Sequence, residues 1–232
     1  MSLTKTKIEW CDYTINPIKG LCPIDCKDNQ GKSYCYARRM YKRFKWNPEI
    51  RFDREPLEEI AKIEKPSRIF VGSTIELFGE WIKWWWLKTV LVFCLLYPQH
   101  TFIFLTKQPQ NLIKWSPFPR NCWLGATVTD VDSYRWAMAF LSQISAKVKF
   151  LSIEPLLSQF WLRDWEYQIP LNATLDWVIT GQQTPVKKST MPRMEWIYEI
   201  ENACKKASVP YFEKDNLQSL LVRDLVQEFP QR

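Results

Sequence analysis

Glycine and histidine are both scarce in this chain of 232 residues: it has six glycines, none clustered, and one histidine, His100. A glycine-rich phosphate loop or a dinucleotide fingerprint needs several glycines at fixed spacing, and neither pattern occurs. With one histidine, a Ser/His/Asp or Cys/His mechanism could run only through His100, and a histidine-rich zinc site cannot be assembled. A cationic, apolar leader of the secretory kind is also missing. The odd set of seven cysteines, Cys11, Cys22, Cys26, Cys35, Cys94, Cys122 and Cys204, therefore reads as reduced thiols in the cytoplasm rather than a disulfide framework. No membrane span is expected. The uncharged stretch from Thr89 to Thr106 is interrupted by Pro98, Gln99 and His100, and a span needs about 20 apolar residues in one helix. It reads better as a buried helix ending at Pro98, followed by a buried strand.

What is present is an ordinary globular composition with a basic excess, 32 Lys plus Arg against 25 Asp plus Glu, for a net charge of +7. Short β-branched and aromatic runs alternate with helical patterns, the signature of βα units around a parallel sheet. The strands fall at Arg68 to Gly72, Thr101 to Thr106, Cys122 to Thr127, Val148 to Ile153, Trp177 to Thr180 and Pro210 to Glu213, with a short one near Tyr13 to Ile18. Helices are predicted over Glu80 to Tyr97, Asp132 to Ala146 and Pro192 to Ala207, the last with Pro192 in its first turn, plus a shorter stretch from Gln108 to Trp115. Another helix follows Cys35: Ala37, Met40, Tyr41 and Phe44 form one apolar face, and Arg38, Arg39, Lys42 and Arg43 cover the other. The fold class is α/β, a complete or partial (β/α) barrel of six to seven βα units in one domain over residues 1–232. Most tryptophans, including Trp84, Trp85 and Trp86, are expected to pack against core helices.

In such barrels the working face lies at the C-terminal ends of the strands. The polar residues there are Ser73, Thr74 and Glu76, then Thr106 and Lys107, Thr127 and Thr129, Ser152 and Glu154, Gln182 and Gln183, and Lys214 and Asp215. Cys22, Cys26 and Cys35 lie within 14 residues, directly after the first strand and before the basic helix. Three thiolates in one loop suit a soft metal or an iron–sulfur cluster. Held by three cysteines, a cubane keeps one iron open to a substrate or cofactor. The alternative is closed zinc with Cys11 as fourth ligand, four cysteines separated by 10, 3 and 8 residues. The spacing leaves both open. Cys94, Cys122 and Cys204 read as small buried apolar residues.

The segment IEWCDYTINPIKGLCPIDC, followed by CYARRMYKRF, resembles the opening of a family of phage-associated and prokaryotic proteins with a three-cysteine motif, itself similar to the radical S-adenosylmethionine (SAM) superfamily. The likeness continues through IFVGSTIELFGEW, PQHTFIFLTKQP, CWLGATV, KFLSIEPLL, LDWVITG and VPYFEKDNL. The resemblance implies that Cys22, Cys26 and Cys35 hold a [4Fe–4S] cluster whose open iron binds SAM. Reductive cleavage would give methionine and a 5′-deoxyadenosyl radical that abstracts a substrate hydrogen. Tyr34 would pack beside the adenine; Ser73, Thr74 and Glu76 would help bind the SAM amino group. Glu154 and Lys214 would meet the SAM carboxylate, the ribose or the substrate. An electron donor is an implied partner.

Two departures from the superfamily pattern matter. Cys26 and Cys35 are separated by eight residues, an insertion of about six from Asp28 to Ser33. Its polar residues, with Asn29, Gln30 and Gly31, can bulge out as a turn without moving the thiolates. Many relatives also carry a glycine, glycine, glutamate, serine run where this chain has Gly181, Gln182, Gln183 and Thr184, so a carboxylate is lost. The basic helix and the aromatic content are compatible with a nucleic-acid substrate, for which Arg38, Arg39, Lys42, Arg43, Lys107 and Gln182 are the candidate contacts. A small molecule or peptide is the other substrate class. A zinc-stabilised binding module and an iron–sulfur scaffold without SAM cleavage are the non-catalytic alternatives.

Overall fold

The computed structural model describes residues 3–160 and 174–231. It is a mixed α/β fold built on one large, mostly parallel sheet. Strands β1 (Thr4–Lys5), β2 (Tyr13–Ile15), β5 (Arg68–Val71), β6 (Thr101–Thr106), β7 (Cys122–Thr127), β8 (Val148–Ile153), β9 (Trp177–Thr180) and β10 (Tyr211–Glu213) lie side by side in that order. Only β1 runs antiparallel. A separate antiparallel pair, β3 (Ile18–Lys19) with β4 (Arg51–Phe52), extends the chain beyond β2. Among the described strands no ladder joins β10 to β1 or β2.

Side chains alternate across this sheet, and both faces are apolar, as parallel strands covered on two sides require. Phe102, Phe104, Leu124, Leu151, Val178 and Tyr211 join the cluster formed with the helices. Phe70, Ile103, Trp123, Phe150, Trp177 and Phe212 point the other way, into a second cluster with Trp10 and Cys11. Trp177 is its hub, 5.5 to 6.5 Å between ring centroids from Trp10, Trp123, Phe150, Phe212 and Phe229. Gly125 on β7 leaves room for the Phe150 ring.

The helices are α1 (Tyr36–Phe44), the short α2 (Glu55–Glu58), α3 (Trp84–Leu96), α4 (Val131–Leu141) and α5 (Met194–Ala207). The α4 start is fixed by a capping box: the Asp130 side chain accepts from the Ser133 amide, and the Ser133 hydroxyl accepts from the Asp130 amide. Helix α3 ends before Pro98, as expected. The stretch from Pro109 to Trp115 is a 3-10 helix. Two expectations are corrected. Helix α5 begins at Met194 with Arg193 as N-cap, so Pro192 precedes the first turn instead of occupying it. Trp84 and Trp85 are 63% and 46% exposed, and only Trp86 of the three is buried, because α3 is apolar apart from Lys88 and Thr89 while only one side meets the sheet. Among the described residues no helix is long and apolar enough to cross a membrane. His100, just before β6, is buried, and its Nδ1 accepts from the Ser67 amide at 3.2 Å. Burial lowers its pKa, so it is a neutral core residue at the N-terminal end of a strand, far from any group on the opposite rim.

Candidate metal centre

The loop from β3 to α1 carries the three clustered cysteines, and two devices shape it. The first is a turn made by the insertion. Lys27 and Ser33 form an antiparallel bridge, the Asp28 carboxylate accepts from the amides of Gln30 (3.0 Å) and Lys32 (2.9 Å), and Gly31 takes a positive φ of 72° that glycine adopts at little cost. The Tyr34 amide then donates to the Cys26 carbonyl at 2.9 Å. The eight intervening residues thus leave and return at one point, which puts Cys35 beside Cys26. Asn29 pins the turn by donating to the Leu157 carbonyl at 2.8 Å.

The second device is Arg38. Its Nη2 donates to the carbonyls of Cys22 (2.7 Å) and Pro23 (3.2 Å), its Nε donates to that of Ile24 (3.4 Å), and Nε lies 3.4 Å from the Asp25 carboxylate. One guanidinium therefore holds the backbone from Cys22 through Ile24 against the first turn of α1. Cys35 is the N-cap residue of that helix.

The thiols sense one another. The Cys26 thiol donates to the Cys35 sulfur; with burial opposing, and with the amides of Arg38 and Ala37 and the Lys107 charge assisting, the Cys35 pKa falls to about 6. The same contact, together with burial, raises Cys26. Cys22 is raised by burial, against the amides of Glu76 and Ile24. Among the described residues, no three His, Cys, Asp or Glu side chains are disposed around a single ion. The donor set, three soft thiols in one loop, is the chemistry an iron–sulfur cluster takes, one thiolate to each of three irons. Cys11 sits elsewhere, in the aromatic cluster with Trp10 and Phe70, where burial, then Asp12, pushes its pKa up to about 12.

The strand-end residues form two groups around this loop. In the first, Asn16 ties the β5 end together: its Oδ1 accepts from the Thr74 amide (3.2 Å), the Thr74 hydroxyl (3.0 Å) and the Ser73 hydroxyl (3.3 Å). The Tyr36 hydroxyl donates to the Ser73 carbonyl. Glu76 is buried and accepts from the Phe78 amide (3.0 Å), the Thr106 hydroxyl (2.7 Å) and the Lys107 amide (2.7 Å), so its carboxylate braces the neighbouring strand ends. The Lys107 ammonium stays exposed, 3.5 Å from Thr127 Oγ1.

In the second group, the Lys214 ammonium lies 2.8 Å from Glu154 and 3.8 Å from Glu9. Burial works against its charge, but the two carboxylates outweigh it and raise the pKa. A Cβ at Gly181 would come 3.1 Å from Lys214 Cδ and 3.2 Å from Glu154 Cδ, so this glycine admits the pair. Tyr34 bridges the groups: burial and then the charges of Cys26, Cys35 and Glu154 raise its pKa.

Gln182 is buried and engaged with Asn216 through both backbone and side chain; its Oε1 and that of Gln183 have no partner among the described residues. Arg39 donates to the Thr184 carbonyl at 3.0 Å, joining α1 to the loop after β9. Lys42 and Arg43 lie on the exposed side of α1. Arg38, expected among the substrate contacts, is instead engaged with the cysteine loop. Asn16 and Glu9 were not singled out from sequence, since a lone Asn before Pro17 and a Glu before Trp10 carry no pattern of their own.

This fold is similar to that of spore photoproduct lyase. A structure of a lyase mutant with bound AdoMet and a dinucleoside spore photoproduct aligns with a TM-score of 0.57 at 14% identity, over 88% of this chain and 64% of that one. A complex of the lyase with the dinucleoside aligns with a TM-score of 0.54, also at 14% identity, covering 88% and 64%. The chain thus spans about two thirds of the length of those neighbours. The chain itself belongs to the family described as protein of unknown function (DUF5131), which matches residues 5–219. No curated protein matches it by sequence.

Proposed function

We propose that this protein is a radical SAM-like iron–sulfur enzyme of partial-barrel architecture, one domain over residues 1–232, working in the cytoplasm with an external electron donor. The observation that carries this reading is the gathering of Cys22, Cys26 and Cys35 at the rim of a parallel sheet, by a turn that absorbs the insertion and an arginine that fixes the loop. The three thiols would hold a [4Fe–4S] cluster and leave its fourth iron for SAM. Cluster and SAM together supply one-electron reductive cleavage and hence a carbon radical. The chain's own residues do the rest. Tyr34, between the thiols and Glu154, would flank the adenine. Ser73 and Thr74, oriented by Asn16, would offer hydroxyls to the amino group, with Glu76 holding the strand ends in place. Glu154 and Lys214 present paired opposite charges to the carboxylate or ribose. The aromatic inner face excludes water below. The dinucleoside held by the structural neighbour makes a nucleic-acid substrate the favoured class, with Arg39, Lys42, Arg43 and Lys107 facing it.

One observation favours a second reading, a cluster-bearing scaffold that binds SAM without cleaving it: Gln182, where many relatives carry a second glycine before the glutamate, is tied to Asn216. Anaerobic purification, iron and sulfide analysis and a dithionite-driven assay for 5′-deoxyadenosine separate the cases. A brown protein with about four irons that forms 5′-deoxyadenosine supports the enzyme; a brown protein that binds SAM unchanged supports the scaffold; a colourless zinc protein refutes both. Cys35→Ala is expected to abolish cluster assembly and Cys11→Ala to leave it intact.

A further inference from the structure

The net charge is not spread over the surface. Residues 19–45, the cysteine loop and α1, hold eight basic and two acidic residues, a net +6 out of the whole chain's +7. Neither acid competes for a phosphate: Asp25 is paired with Arg38, and Asp28 is buried and bound by amides. Helix α1 has no acidic residue at all, and Arg39, Lys42, Arg43 and Lys45 are exposed on it and at its C-cap.

At the far end of this helix three rings form a ladder from core to solvent. Tyr41 is buried, its hydroxyl accepting from the Gly20 amide at 2.7 Å. Trp46 meets it edge-on at 5.3 Å, Phe44 stacks on Trp46 at 5.5 Å and 21°, and the Arg43 guanidinium lies 5.3 Å from the Phe44 ring centroid. Phe44 is 52% exposed. The left-handed Lys45 (φ 51°) turns the chain back so that Trp46 can reach Phe44, with the Trp46 amide donating to the Tyr41 carbonyl. A solvated helix face needs no such ladder: an exposed Phe held on an anchored ring costs apolar exposure and offers a flat stacking face. Bases stack on aromatic rings and on guanidinium planes, while neighbouring lysines and arginines take the phosphates.

We infer that the exposed face of α1, from Arg39 to the Phe44–Trp46 ladder, binds single-stranded nucleic acid, with phosphates on Arg39, Lys42, Arg43 and Lys45 and a base on Phe44. The inference deepens the proposed function by naming the substrate class. It rests on that reading only for the chemistry that follows, since α1 starts at Cys35 and the ladder is about 13 Å along the helix from it. A duplex keeps its bases stacked within, so the exposed ring selects single strands.

The test uses the full chain and a fluorescein-labelled 15-mer of dT in anisotropy titrations over a range of salt, with the rU 15-mer and a 15-bp duplex in parallel. Four phosphate contacts predict a slope of log K against log salt of about −3 on single strands. Lys42→Ala with Arg43→Ala lowers that slope to about −1.4. Phe44→Ala weakens binding about five- to a hundredfold at unchanged slope, and Phe44→Trp restores it; Lys42, Arg43 and Phe44 are all exposed, and matching thermal melts confirm the fold. The dT and rU arms tell DNA from RNA, and either binding tighter than the duplex supports the inference. Equal binding by Phe44→Ala, a duplex bound as tightly as the single strands, or equal competition by polyglutamate overturns it. Loss of single-strand binding with SAM cleavage intact overturns this inference alone. Single-strand binding by a protein that assembles no cluster overturns the enzyme and leaves the surface standing.

Discussion

The low pKa of Cys35 gives the cysteine loop a signature that can be read without any metal. With a pKa of about 6 in place of the ordinary 9.0, the thiolate fraction at pH 7 rises by about 90-fold, while the weaker nucleophilicity of a low-pKa thiolate takes back about 20-fold. Cys35 in the apoprotein should therefore react with iodoacetamide about four times faster than an ordinary thiol at pH 7, and about twenty times faster at pH 6, where the ordinary thiol is scarcely ionised. Because the shift is downward, the rate climbs through pH 6 and is flat above pH 7. Cys26 and Cys22, both raised, stay protonated over that range. Lys107→Met removes one cause of the shift and moves the Cys35 midpoint upward. The assay is pulse alkylation of reduced, metal-free protein from pH 5 to 9, read by peptide mass spectrometry. A Cys35 midpoint above pH 8, or Cys22 labelling first, would refute the contact between Cys26 and Cys35 and with it the closure of the loop by its inserted turn.

Lys214→Met leaves Glu154 and Glu9 facing each other with no cation, a loss of about 2–3 kcal/mol for a mostly buried group, and should lower Tm by about 5–10 °C in a chain of this size. The raised Lys214 pKa means this stabilisation is complete below pH 10.5 and lost as pH rises beyond it, so the Tm difference should shrink in alkaline buffer; melts that coincide at pH 7 would count against the ion triad. Gly125→Ala drives a methyl into the fully buried Phe150 ring, costing about 1–3 kcal/mol by overpacking. Adding Phe150→Leu should recover part of that loss in the same melts, and no recovery would place the strain elsewhere.

The parallel strands were legible in the sequence because each is a short β-branched and aromatic run buried on both faces, and four of them, β6 to β9, fall on the predicted residues. The boundaries that moved are those set by caps instead of periodicity. The α5 pattern runs back to Pro192, but the helical φ and ψ begin only after Arg193, and no local run of residue types announces that. Trp84 and Trp85 were read as core because α3 is apolar apart from the adjacent Lys88 and Thr89. Periodicity cannot orient a helix without a polar face, and only the packing on the sheet shows which side is left to solvent.

For the candidate site, residue type was legible and purpose was not. The spacing of Cys22, Cys26 and Cys35 marked the loop, and the polar Asp28 to Ser33 insertion was readable as a turn because Asp, Asn and Gly each supply what a turn needs. Arg38 was the failure of that approach. On a helical wheel it belongs with Arg39, Lys42 and Arg43 on one basic face, yet its guanidinium reaches back over the N-terminal turn of α1 to three carbonyls of the cysteine loop. Those carbonyls are irregular backbone with no sheet or helix partner, and such groups must find donors when the loop is packed. A long, five-donor side chain one turn into the following helix is the nearest source. A basic helix directly after such a cysteine loop therefore divides its cations: Arg38, which reaches back to the loop, satisfies its backbone, and the exposed Arg39, Lys42, Arg43 and Lys45 remain to meet a ligand from solvent.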